Sequence, residues 1–218
     1  MRAPRLDEVL EELRHLVERM TGKVRSQLQD ALKALAEGDK ALALRVIEGD
    51  REVNRLNHAI EDKVIETVAL LRPLAGDLRF VISAMKTAID LERIGDLAQN
   101  IAEVVYYRMG GRTPSEPLLT DLMRMGELVD GMVKIATMAT LGRDPTVAYT
   151  LKDMDNEVDS LFYQVLQEVM DQARKGKDTV WAVNALLIAR YLERVGDHAC
   201  NIGEHAVYAR TGQHIKLT

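Results

Sequence analysis

At 218 residues the chain has room for one large domain or for two fused halves of about 100 residues each. Aromatic residues make up only 4%, and a 47% hydrophobic share built mostly from Leu, Val, Ala, Ile and Met favours helices over a β-sandwich. A net charge of −5 without a basic run argues against nucleic-acid binding, no apolar run approaches the roughly 20 residues of a membrane span, and the lone Cys200 excludes an internal disulfide, which fits a reducing cytoplasm.

Taken in order, the chain opens directly into charged helix, with no apolar signal region over Met1–Glu8. Leu6, Val9, Leu10, Leu13, Leu16, Val17 and Met20 recur at spacings of three and four, which predicts a helix from Leu6 to about Glu37 that Thr21-Gly22 would loosen midway. Gly38 then Asp39 reads as a stop followed by an N-cap. A second helix is expected from about Lys40 to Leu71, weakened at Gly49 and ended by Pro73. The turn Pro73-Leu74-Ala75-Gly76 precedes Asp77, a good N-cap for a third helix from Leu78 to about Met109. Gly110 to Pro117 is the most loop-like stretch, so the boundary between two halves, 1–110 and 111–218, is placed there. A fourth helix is expected over about Leu118–Leu141. A fifth opens with Asp144-Pro145 as N-cap and first helical residue and reaches about Arg174. Lys175-Gly176-Lys177 turns the chain, and Asp178 caps a sixth helix running to about Arg210. The prediction is all-α: two pseudo-symmetric three-helix bundles.

The two halves carry one motif. Leu91-Glu92-Arg93-Ile94-Gly95-Asp96-Leu97-Ala98-Gln99-Asn100-Ile101-Ala102-Glu103 aligns without a gap, 101 residues away, with Leu192-Glu193-Arg194-Val195-Gly196-Asp197-His198-Ala199-Cys200-Asn201-Ile202-Gly203-Glu204, and nine of the thirteen positions are identical. On a helix, Asp96, Asn100 and Glu103 fall within about 80° of Glu92, so each copy gathers its oxygen-bearing side chains on one face. Like charges four residues apart cost roughly 0.2–0.5 kcal/mol per pair, a cost that a counter-cation would relieve. The helices upstream supply facing pairs: Asp50 and Asn54, then Asp155 and Asp159. In an antiparallel hairpin, facing residues are equidistant from the turn. The midpoint of Asp50/Asn54 with Glu92/Asp96 is Pro73, and that of Asp155/Asp159 with Glu193/Asp197 is Gly176; both fall on turns placed independently. Oxygen-only donors suit hard or borderline cations, and carboxylates bridge ions, so one metal site per half is expected. Candidate ligands are Asp50, Asn54, Glu92, Asp96 and Asn100 in the first half, and Asp155, Asp159, Glu193, Asp197 and Asn201 in the second. The plainer alternative is a solvated acidic face with arginine pairs.

Other residues read as structural. His198 and His205 lie off the acidic face of their helix. Glu12-Leu13-Arg14-His15 matches the Glu-x-x-His of di-iron bundles, but that architecture requires two such motifs. Cys200 reads as a small packing residue. Mid-helix Gly95 and Gly196 point to close approach by a neighbouring helix or a ligand cluster.

The two Leu-Glu-Arg-[Ile/Val]-Gly-Asp-x-Ala-x-Asn-Ile copies, each in the last helix of a three-helix half, together with Pro73-x-x-x-Asp77-Leu78-Arg79, resemble the PhoU family of phosphate-signalling regulators from about Leu10 to Tyr208. That resemblance implies two similar three-helix bundles. It implies multinuclear iron or zinc clusters held by Glu/Asp-x-x-x-Asp motifs, here Glu92/Asp96, Glu193/Asp197 and Asp155/Asp159, with Asp50/Asn54 the weaker fourth pair. It also implies a cytoplasmic, dimeric, non-enzymatic protein that restrains phosphate-starvation signalling by contacting the phosphate ABC transporter and a sensor histidine kinase, peripheral to the membrane at most. Two alternatives remain open: a metal-loaded scaffold for another membrane sensor, and a carboxylate-bridged metalloenzyme, against which the missing histidine ligands argue.

Overall fold

The computed structural model describes residues 5–110, 116–142, 145–176 and 179–218. Six long helices make up the fold: α1 (Leu6–Glu37), α2 (Lys40–Leu71), α3 (Ala75–Glu103), α4 (Glu116–Thr140), α5 (Thr150–Arg174) and α6 (Thr179–Thr211). No strand occurs among the described residues. The architecture is the expected one, α1–α3 and α4–α6 each forming an antiparallel three-helix bundle. None of the helices among the described residues is long and apolar enough to cross a membrane.

Local chemistry explains most helix ends. Gly38 adopts the left-handed conformation that closes α1 (φ 65°), and the Asp39 carboxylate accepts from the N–H groups of Ala41 and Leu42, as an N-cap should. α1 passes through Thr21-Gly22 unbroken, with Thr21 buried against α4: its hydroxyl donates back to the Val17 carbonyl, and its oxygen lies 3.3 Å from that of Thr137. α2 likewise passes through Gly49.

Three expectations are corrected. α3 begins at Ala75, with Leu74 as N-cap. Asp77 sits inside the first turn, where its charge favours the helix dipole without capping it. The chain gains those residues by placing Arg72 (φ 48°) and Ala75 (φ 45°) in the left-handed region around Pro73. At its other end, the α-helix stops at Glu103 and continues as a π-helical turn, Val104–Arg108, in which Val104 and Val105 are both buried. The fifth helix opens with a 3₁₀ segment, Pro145–Tyr149, so α5 itself starts only at Thr150. The linker residues 111–115, the caps assigned to Asp144 and Asp178, and Lys177 lie outside the described residues.

The two bundles share a continuous core. α3 packs on α6 and α1 on α4, and buried side chains such as Leu13, Met20, Leu28, Leu91, Ile94, Met125 and Met132 belong to one cluster. Across the same seam, Arg25 of α1 grips Asp130 of α4 with two parallel hydrogen bonds of 2.8 and 2.7 Å.

Candidate functional site: two acidic helix faces

The first acidic face forms where α2 and α3 run antiparallel. A Cβ added at Gly95 would lie 3.2 Å from Val53 Cγ1 and 3.6 Å from both Asp50 Oδ1 and Gln27 Oε1. Glycine therefore lets α3 approach α2 and α1 closely, as its mid-helix position suggested. Asn54 donates to Asp50 Oδ2 at 2.9 Å, whereas Asp50 Oδ1 and Asn54 Oδ1 are buried without a partner in the protein. Burial, then the Asp96 charge, pushes the Asp50 carboxyl above its ordinary value. Glu92 is raised by burial and by Asp96 and Asp50, with Arg93 opposing. Arg93 reaches both Asp96 (3.2 Å) and Glu92 (3.5 Å) at the exposed edge, so this face is partly neutralised by its own motif. Asn100, one turn further along α3, is half-buried.

The second face repeats the plan with more charge. Gly196 brings α6 against α5, and its added Cβ would lie 3.3 Å from Asp155 Oδ1 and 3.6 Å from Met132 Cε of α4. Burial and the charges of Asp159 and Asp197 push Asp155 up to about 6, against a hydrogen bond from the Cys200 thiol that lowers it. Glu193 is raised by burial, Asp197, Asp159 and Asp155; Asp197 is raised by burial and Asp159, against Arg190, His198 and Arg194. Arg190, one turn upstream, holds Glu193 Oε1, while Glu193 Oε2 is buried and unpartnered. The arginine that binds the second motif is thus Arg190, and Arg194 plays only the weaker, longer-range part.

The carboxylates named from the sequence face one another across each hairpin, and two neighbours join them that the sequence pattern did not point to. Gln27 is 96% buried from the residue's 4% exposure, and both its amide atoms lack a partner beside the first face. Asp90, one turn before the first motif, is buried in the α3–α6 seam. Asp90 Oδ1 meets His198 Nδ1 at 2.9 Å, Asp90 Oδ2 meets His205 Nε2 at 3.2 Å, and the Asn201 amide lies 3.5 Å from Oδ1. Burial acts to raise Asp90, and the two histidines outweigh it, leaving the carboxyl below its ordinary value. The Asn201 amide therefore turns to Asp90 in the seam. The pairing of two histidines off the acidic face with an aspartate in the other half was the available signal, but it spans 108 and 115 residues.

The donor chemistry of both faces fits a hard cation: buried carboxylate oxygens without partners, held close enough to raise one another's protonation. Among the described residues, however, no three His, Cys, Asp or Glu side chains stand gathered around one point as a metal ion needs. Side-chain rotation would have to complete either site. Neither face has the parts of a covalent catalyst. Cys200 is fully buried, and burial and the surrounding carboxylates push its thiol up, away from the reactive thiolate. His15 lies 3.7 and 3.8 Å from Glu11 and Glu18, while Glu12 pairs with Lys63, so the Glu-x-x-His spacing builds no site.

The PhoU domain matches residues 17–105 and 122–206, one match around each face. The chain belongs to the PhoU family. The phosphate-specific transport system accessory protein PhoU homolog of Caulobacter vibrioides is 36% identical over 209 residues, 94% of this chain and 90% of that protein. PhoU homolog 1 of Thermotoga maritima is 34% identical over 201 residues, 92% of this chain and 86% of that protein. Crystal structures agree: PhoU from Pseudomonas aeruginosa superposes with a TM-score of 0.89 at 31% identity, covering 96% of this chain and all of that one. The phosphate transport system regulatory protein PhoU from Streptococcus pneumoniae gives the same score at 30% identity, covering 97% of this chain and all of that one.

Proposed function

We propose that this chain restrains phosphate uptake and phosphate-starvation signalling when phosphate is plentiful, as a metal-binding adaptor between a phosphate ABC transporter and a sensor histidine kinase. Membership of the PhoU family carries the coarser statement, an accessory and regulatory role in phosphate transport. The observation behind it is the two-fold domain match over nearly the whole chain, together with relatives named as accessory proteins of the phosphate-specific transport system.

The finer parts of the proposal have separate support. A regulator rather than an enzyme is supported by the relatives, which are named as accessory and regulatory proteins of phosphate transport. Cation binding is supported by Asp50 Oδ1 and Glu193 Oε2, buried without partners in clusters where burial and neighbouring carboxylates raise both carboxyls above their ordinary values. Asp50, Asn54, Glu92 and Asp96, with Asn100 at the edge, would hold iron or zinc in the first half. Asp155, Asp159, Glu193 and Asp197, with Asn201 at the edge, would hold it in the second. A bound multinuclear cluster would turn an acidic face into a neutral or positive one and so set which partner surface it accepts. The protein would work in the cytoplasm as a homodimer, peripheral to the membrane.

The decisive measurement is a phosphate-starvation reporter in a strain lacking this gene. Derepression at high phosphate, restored by the wild-type chain, is expected. Unchanged repression would remove the phosphate assignment.

A further inference from the structure

A cavity of about 330 Å³ opens between the two halves, away from both acidic faces. Its wall takes Arg14 from α1, Asp77 and Arg79 from α3, the end of α4 at Thr140 and Gly142, and Arg210 from the last turn of α6. Three guanidinium groups against one carboxylate leave the wall about two charges positive, in a chain whose net charge is −5.

The arginines are held in place with donors to spare. Arg14 stacks on the Phe80 ring with its central carbon 4.2 Å from the centroid, and its Nη1 donates to the Leu141 carbonyl at 3.2 Å. Arg79 donates through Nε to the Ala209 carbonyl at 3.3 Å, which leaves its two terminal nitrogens free to point elsewhere. Those two carbonyls close the C-terminal ends of α4 and α6, the ends whose dipoles repel anions, and each is covered by a guanidinium. Arg210 makes no hydrogen bond or ion pair among the described residues. Glu11 lies 3.5 Å from Arg14 but is not part of the wall; at 62% side-chain exposure, water screens it. Gly76, in the uncapped first turn of α3, also lines the cavity and adds the favourable end of a helix dipole to the arginine cluster.

We propose that this cavity binds a small tetrahedral dianion, either inorganic phosphate or the phosphoryl group of a small phosphomonoester. Charge balance selects the class: two net positive charges match a dianion, and a fork of N–H donors on each arginine fits phosphoryl oxygens. Size allows either source, because small-molecule pockets start at roughly 300 Å³. The site, built from both halves, has no counterpart related to it by the repeat. Arg79 corresponds across the 101-residue offset to Val180, so the second hairpin has no arginine to offer at that position. The proposal goes beyond the adaptor reading and does not rest on it.

The test is phosphorus NMR titration of the full-length, chelator-treated chain with inorganic phosphate and, separately, glycerol 3-phosphate. Chelation keeps any cation on the acidic faces from contributing. Saturable broadening is expected, weakened by about tenfold or more in Arg79→Gln and in Arg210→Gln. Tighter binding of inorganic phosphate would identify the free ion as the ligand, and tighter binding of glycerol 3-phosphate a phosphorylated metabolite. Arg210→Gln breaks no intramolecular bond, so it decides the matter if Arg79→Gln unfolds on melting. No saturable binding up to about 10 mM, or binding undiminished in folded Arg210→Gln, overturns the proposal. Because the readout is direct binding, its failure leaves the reporter experiment above unaffected.

Discussion

The two acidic faces occupy equivalent places in a duplicated fold, yet they differ in what lies beneath and above them. Under Gly95 the first helix of the bundle, α1, presents Gln27, a buried amide with no partner; under Gly196 its counterpart α4 presents the apolar Met132. Across the hairpin the first face has Asn54 hydrogen-bonded to Asp50, whereas the second has Asp159 adding charge to Asp155. The first face has thus exchanged charge for neutral oxygen and nitrogen, and the second keeps four carboxylates over an apolar floor. The same helical scaffold therefore carries two different electrostatic loads: a lighter one where amides replace charge, and a heavier one where a carboxyl is pushed up to about 6.

On the proposed metal-binding role, metal content should separate the faces most sharply. Elemental analysis of protein purified without chelator should show iron or zinc in the wild-type chain, and Glu193→Gln with Asp197→Asn should remove most of it. The matching Glu92→Gln with Asp96→Asn should remove the smaller share. Equal losses, or metal retained in both, would break the comparison.

Gln27→Met places the floor of the second face under the first. Removing a buried amide without partners should stabilise the metal-free chain by about 1–2 kcal/mol in urea denaturation. If the Gln27 carbonyl serves a cation, the same variant should bind less metal at the first face, so stability and metal uptake should move in opposite directions.

Protonation gives the next effect. The folded chain holds the Asp155 proton more tightly than the unfolded chain does, so between the ordinary carboxylate value near 3.8 and about 6 it carries more protons than the unfolded one. Stability contributed by this group is present below that window and is lost as pH rises through it. Asp155→Asn should therefore stabilise the chelated protein at pH 7.5 and lose its advantage below about pH 4. With half-exposure and solvent screening the gain is about 1 kcal/mol. Asp50→Asn should show a smaller gain of the same sign, measured by melting temperature across pH.

The smallest contrast lies in the two glycines. Alanine favours a helix by about 1 kcal/mol over glycine. In Gly95→Ala the new methyl meets Val53, which is fully buried and branched, so the clash should cancel that gain or exceed it slightly. In Gly196→Ala it meets the end of the unbranched Asp155 side chain, which has to yield only a few tenths of an ångström against its bond from Cys200, so the chain should become slightly more stable while the proposed metal binding of the second face weakens. Equal changes in the two variants, in thermal melts and metal titration, would mean that the two surroundings are equivalent and would remove the contrast.

These contrasts show which features a linear reading reaches. Gly38-Asp39 ended one helix and began the next because both signals are local, and the acidic faces followed from four-residue spacing and hairpin midpoints alone. The start of α3 did not, since it depends on Arg72 and Ala75 taking a backbone conformation that their side chains disfavour. Arg190 rather than Arg194 binds the second motif because reach along the helix, three residues back, counts for more than adjacency. Gln27 and Asp90 were out of range for a different reason: the first reaches its neighbours only through a third helix, the second only through the other half.

That last residue bears on how a duplicated chain finds its correct mate. Across the 101-residue offset, His198 and His205 correspond to Leu97 and Val104, and Asp90 to Tyr191. Two first halves meeting each other would bury Asp90 against Leu97 and Val104, a charge against hydrocarbon; two second halves would set their histidines opposite Tyr191. Only unlike halves satisfy the seam. The seam thus acts as a lock that admits one complement, and halves produced as separate chains should be driven by it to assemble with each other in preference to themselves.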